Sequence, residues 1–176
     1  YLQDILPSFL LQSELIDTEE EEASDGEDGV ASEEGDTDTT TTSELRIPEI
    51  YQGEVYVDRK SRFQGFCARV QSVSEAEAFR ARLLERKKVS VATHNMFAYR
   101  LRDAATGQLH ANRDDDGEGG AGDKMLSLLD LCGVEDAAVV VSRWYGGIKL
   151  GPDRFKWINH CTKQVLQEHG FLRSSS

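Results

Sequence analysis

Before Arg46 the chain has no lysine or arginine at all, although 20 basic residues follow. Fifteen of its 32 acids fall within those first 45 residues. The formal net charge of −12 therefore belongs to an acidic leader, and the remainder, with 17 acids against 20 bases, is a mildly basic globule. Also missing is any apolar run of roughly 18 residues, the length that spans a bilayer. No basic segment followed by an apolar one marks a secretory signal. These absences argue for a cytoplasmic protein with no membrane partner. Cysteine is scarce: Cys67, Cys132 and Cys161 are odd in number, far apart and never in a CxxC pair. A disulfide framework or a structural zinc site does not fit that pattern, and buried thiols in a reducing compartment are expected.

Catalytic signatures are absent too. There is no GxSxG elbow and no HExxH helix. Cys161 follows His160 directly, but neighbours on a helix point in different directions, so the pair is not a nucleophile with its base. No catalytic, cofactor-binding or metal-binding residue is assigned. Asp114-Asp115-Asp116-Gly117-Glu118 is a dense acidic group whose spacing does not fit a helix–loop–helix calcium site. It reads instead as a turn whose acids pair with nearby arginines or cap the helix after Gly122, where negative charge is favoured. His94 reads as a hydrogen-bonded core histidine in preference to a catalytic one.

The sequence begins at Tyr1 and not at Met, which suggests a fragment or a processed form. Residues 1–16 are largely apolar but interrupted by Pro7, as in the trailing end of a preceding domain or a short docking peptide. Residues 17–44 are acidic and rich in Ser, Thr and Gly, with too little to bury to offset the entropy of ordering; a disordered linker is expected. Ser24 and Ser32 each precede acids in the manner of acid-directed kinase sites.

Residues 45–173 carry the globular pattern. Glu54–Val57 and Arg62–Gln71 read as strands joined by a polar turn at Asp58–Ser61. Ser74 opens a capping box with Glu77, and a helix follows to about Lys88. Val91–Leu101 is a strand with Phe97, Tyr99 and Leu101 on one face and Ala92, Met96 and Ala98 on the other. Arg102–Gly122 reads as a polar connection, and Lys124–Cys132 as a helix stopped by Gly133. Ala137–Val141 is a strand covered on both faces, and Asp153–His169 is the last helix. The order ββαβαβα predicts an α/β two-layer sandwich of the α+β class, with a four-stranded mixed sheet and helices on one face.

The run AAVVVSRWYGGIKLGPDRF, Ala137 to Phe155, is the most informative stretch. A buried strand breaks at Gly146-Gly147 and re-enters structure as a helix at Gly151-Pro152. Arg143, Trp144, Tyr145, Lys149, Arg154 and Lys156 are the candidate partner-binding residues, as the types enriched at interface hot spots and the nearby cations. They form either an exposed platform or a partly buried sheet end. The glycine loop matches neither phosphate-binding fingerprint, and Asp153 would repel a phosphate brought close. Weak phosphate or RNA-backbone contact is one reading of this loop, and purely structural glycines the other.

VATHNMFAYR (Val91–Arg100), DDDGEGGAG (Asp114–Gly122), VVVSRWYGGIKLGPDRFKWIN (Val139–Asn159) and DRKSRFQ (Asp58–Gln64) together resemble the Impact family, in its eukaryotic branch. One departure is Gly119-Gly120, where many relatives carry other small residues or proline. The resemblance implies a domain like domain IV of elongation factor G, and an absent N-terminal RWD-type module of which residues 1–16 would be the trailing end. It implies a non-enzymatic translation regulator without cofactor. Such a protein binds the large ribosome-associated co-activator of the general-control kinase, which phosphorylates the initiation factor 2 alpha subunit. By competing with the kinase it damps the amino-acid-starvation response. Actin binding and ribosome association are further implications, and a monomer is expected. Two alternatives stay open: an RNA- or ribosome-binding module, and an uncharacterised hydrolase that relies on His94 or on Asp116 and Glu118.

Overall fold

In a computed structural model, which describes residues 45–172, Tyr51–Asp58 (β1) and Ser61–Arg69 (β2) form an antiparallel hairpin. Arg59 and Lys60 close it, both at positive φ (44° and 66°), the backbone whose twist matches that of the strands. The expectations for residues 1–16 and 17–44, and for Ser24 and Ser32, lie outside the described residues. After β2 come Val73–Leu84 (α1), Lys87–Ser90 (α2), His94–Arg102 (β3), Leu109–Asp114 (β4), Ala121–Leu131 (α3), Ala137–Trp144 (β5) and Asp153–Glu168 (α4).

The α+β class is as expected, but the sheet has five strands in the order β1-β2-β5-β3-β4, and every neighbouring pair is antiparallel. The expectation of a four-stranded mixed sheet is corrected on both counts. Strands β2 and β3, linked through α1, do run parallel to each other, as a helical crossover requires. The last strand, β5, inserts between them and pairs antiparallel with both. The additional strand, β4, lies within the segment read as a connection. Its sequence LHANRD carries little apolar alternation because it is an outer strand with mostly exposed side chains.

Helices on one face is likewise corrected. Helices α3 and α4 cover one side of the sheet, where Met125, Leu129, Ile158, Cys161 and Val165 pack on Phe63, Cys67, Met96, Ala98, Val139 and Val141. The other side is covered by α1 and by Val89 of α2, with Phe79 and Leu83 packing on Phe66, Phe97, Tyr99 and Val140. Strand β5 is buried along its whole length, as its continuous apolar run indicates. Gly65 lets α4 approach the sheet closely: a Cβ there would stand 2.6 Å from the Cys161 carbonyl oxygen.

The cap of α1 sits two residues earlier than expected. Ser72, not Ser74, accepts the first-turn hydrogen bond, from the Glu75 amide at 3.1 Å. The sequence SVSEAE offers the S-x-x-E pattern twice, and the earlier register turns Glu75 inward. There its carboxylate takes the Arg46 guanidinium (3.1 and 3.0 Å) and the Gln71 amide (2.8 Å). The Arg46 contact, then the Gln71 amide, outweighs burial and holds the Glu75 carboxyl below its usual range. Its stabilisation is thus present above about pH 4.3, the unfolded value, and fades as pH falls through the lower folded value. In acid denaturation followed by circular dichroism, Glu75→Gln is expected to lower stability at neutral pH and to make the acid limb shallower.

Two thiols are buried and one is not. Burial pushes Cys67 and Cys161 up to about 12, whereas Cys132, expected to be buried, is exposed where α3 ends. Native alkylation with iodoacetamide near pH 8, read by peptide mass spectrometry, is expected to label Cys132 and leave the other two until denaturant is added.

Candidate functional site

The register of the sheet sets the site. Arg143, next to last in β5, pairs with Phe63 on β2 and with His94 on β3, so its side chain leaves the sheet on the α3 and α4 side. Its guanidinium lies 5.5 Å from the Phe63 ring centre and 5.6 Å from that of Tyr145. An arginine here needs a counter-charge, because an unpaired buried cation costs several kcal/mol.

The acidic turn supplies it. Asp114 accepts the Asp116 amide (2.9 Å) and Arg80 (2.6 Å), and these bonds, the amide first, hold its carboxyl below the usual range. Asp115 accepts the amides of Gly120 (2.9 Å) and Gly122 (2.6 Å), and so caps α3. Asp116, at φ 44°, accepts the Asn95 amide at 2.7 Å, and its carbonyl lies 2.7 Å from His94 Nδ1. Gly117 follows at φ 83°, a left-handed conformation that suits glycine, with the His94 ring against it. The chain then turns Glu118 inward, where it is 5% exposed. The expected pairing of acids with arginines and capping of α3 is what the turn does, although α3 begins at Ala121, one residue before Gly122.

Glu118 joins the pieces. One carboxylate oxygen accepts Arg143 Nη1, and the other lies 2.7 Å from Arg154 Nε at the start of α4. His94 Nε2 lies 3.8 Å from Glu118 Oε2. A carbonyl can only accept, so His94 Nδ1 carries the hydrogen it shares with Asp116. The ring is half-buried at the edge of the site and not in the core where the sequence reading put it. In front of this cluster opens a cavity of about 380 Å³ lined by Thr93, His94, Arg143, Tyr145, Lys149 and Arg154, with Leu150 and Gly151 completing the wall. Among the described residues, no group of three or more His, Cys, Asp or Glu could hold a metal ion.

The six candidate residues separate. Arg143 and Trp144, expected at the surface as contact residues, are 5% and 8% exposed. The Trp144 indole N–H donates to the Lys88 carbonyl at 3.0 Å, and Arg62 and Lys88 lie over its ring. Tyr145, Lys149 and Lys156 are exposed, and Arg154 is half-buried against Glu118. Lys156 lies beside the Trp157 ring, apart from the cavity. The platform is therefore a buried support with an exposed rim. Sequence reasoning missed Glu118 as the partner of Arg143, and Thr93 altogether. The inward acid was legible only as part of a turn expected to find some arginine.

The model of the Impact N-terminal domain family matches residues 59–166, which include the acidic turn, Arg143 and Arg154. The chain belongs to the Impact family. It is 46% identical over 125 residues to the protein IMPACT of Xenopus laevis, a match covering 71% of this chain and 40% of that one. It is 40% identical over 167 residues to the Rattus norvegicus protein IMPACT, covering 89% and 52%. This Impact-family chain thus spans about half or less of those relatives' length. Among solved structures it is similar to the two-domain translational regulator Yih1, with TM-score 0.51 and 33% identity over 77% of this chain and 54% of that one. It is also similar to a hypothetical protein, with TM-score 0.57 and 32% identity over 69% and 59%.

Removing one partner of a buried ion pair strands the other. Glu118→Ala leaves Arg143 and Arg154 facing each other uncompensated, and a loss of about 3–5 kcal/mol is expected in urea unfolding. Lys156→Ala, an exposed change outside the cluster, is expected to stay within about 0.5 kcal/mol of the parent.

Proposed function

We propose that this chain regulates translation by occupying a protein partner, and that the partner is the large ribosome-associated co-activator of the general-control kinase. Competition with the kinase for that co-activator would damp the amino-acid-starvation response without any turnover of substrate. Family membership and the likeness to a structure described as a two-domain translational regulator support the regulatory part. The observation that carries a binding mode is the exposed rim of Tyr145 and Lys149 beside the buried Arg143 and Trp144, with Lys156 exposed on α4. A rim fixed from beneath loses little conformational freedom on docking, so its contacts are not offset by ordering costs.

Capture of the co-activator from solution by the immobilised chain tests the proposal. The parent chain is expected to retain it and to displace the kinase's co-activator-binding segment. Lys149→Glu combined with Lys156→Glu is expected to weaken retention at least tenfold. Arg154 is left intact, because reversing its charge would set a second carboxylate against Glu118. Undiminished retention by the folded double variant removes this rim from the interface, and no retention by the parent rejects the partner.

A further inference from the structure

We propose that the cavity at the end of β5 is a binding site for a small phosphomonoester. The proposal does not rest on the co-activator reading. The cavity's volume, about 380 Å³, falls in the range of small-molecule sites, roughly 300–1,000 Å³. Its walls carry Arg143, Arg154 and Lys149 against the single carboxylate of Glu118. Both oxygens of that carboxylate face guanidinium groups, so the cavity retains an excess of two positive charges. A phosphomonoester carries about −1.5 to −2 at neutral pH and matches that excess, where a carboxylate supplies half of it.

Hydrogen-bonding capacity points the same way. Arg143 is 95% buried, and its Nη1 is held by Glu118, yet among the described residues its Nε has no hydrogen-bond partner. Buried donors left unpaired are uncommon, and one beside a cationic cavity is accounted for by an anion that draws the guanidinium round. Thr93 Oγ1 accepts the Tyr145 amide at 2.9 Å, which leaves its hydroxyl hydrogen to donate. Lys149 is exposed at the mouth.

Asp153 raised an objection to phosphate in the sequence, and the fold removes it. Its carboxylate is paired with Arg59 at 2.5 Å and is not among the groups that line the cavity. Besides His94, whose Nδ1 is taken by the Asp116 carbonyl, and the backbone of Gly151, the rest of the wall is apolar: Leu150 is buried, and the Tyr145 ring is half exposed. Inorganic phosphate would leave that wall uncovered, whereas a phosphomonoester with a compact apolar or aromatic body would cover it.

Isothermal titration calorimetry of the full chain with phenyl phosphate tests this, with inorganic phosphate and benzoate as comparison ligands. Saturable binding of one phenyl phosphate per chain is expected, with inorganic phosphate and benzoate each at least tenfold weaker. Lys149→Glu is expected to weaken phenyl phosphate at least tenfold, Thr93→Val several-fold, and Lys156→Glu, outside the cavity, not at all. Circular dichroism confirms that each variant is folded. Absence of saturable binding overturns the proposal, as does benzoate binding equally well, or equal weakening by Lys149→Glu and Lys156→Glu. Inorganic phosphate binding as tightly as phenyl phosphate overturns the role of the apolar wall. A chain that captures the co-activator but ignores phenyl phosphate fails this proposal alone.

Discussion

A carboxylate taken out of water must be compensated where it lands, and Glu118 is compensated by two guanidinium groups from different parts of the chain. Arg143 arrives on the last strand, Arg154 on the first turn of the last helix, and Glu118 on the turn between β4 and α3. Glu118 and Arg143 are both buried and need each other's charge, while Arg154 joins them from a half-buried position. The pairing therefore fixes the distance between the β5 end and the start of α4, and with it the loop from Tyr145 to Gly151. Close packing adds a second restraint: at Gly146 a Cβ would meet the Lys60 backbone at 2.1 Å, and the Gly146 amide donates to Ser61 Oγ at 3.2 Å. The loop is held from the hairpin on one side and from the ion cluster on the other.

That arrangement changes what the basic residues can do. Counted in sequence, they form one positive shoulder. In the fold, Arg143 and Arg154 share the one carboxylate of Glu118, and Trp144 is an indole wedge beneath α2. What faces solvent is narrower: Tyr145, Lys149 and Lys156 on the outside, and a cationic cavity behind the first two. A macromolecular partner would meet the rim, and a small anion the recess. The two surfaces share Lys149, so occupation of the recess would alter the charge offered to a partner.

Much of the architecture was legible because burial writes itself into residue pattern. Strand β3 alternates, and its two faces went to the two cores as its sequence indicated: Phe97, Tyr99 and Leu101 to the α1 side, Met96 and Ala98 to the other. The unbroken run at β5 required cover on both faces, a requirement at odds with helices on one face, and the fold honoured the run. Strand β4 was not legible, since an outer strand with exposed side chains needs only backbone hydrogen bonds. The Ser72 cap was ambiguous because the same four-residue pattern occurs twice, two residues apart.

Local pattern determined most of the strands and helices, β4 excepted, and that the acidic turn would seek arginines. Tertiary structure alone decided that β5 slides between β2 and β3, which sets Arg143 beside His94 and opposite Glu118, and hence which cations are neutralised and which remain. The reason is physical: propensity and periodicity act over a few residues, whereas the pairing of buried charges is a long-range choice. Glu118 and Arg143 are 25 residues apart in sequence, and only the closed sheet brings them within reach.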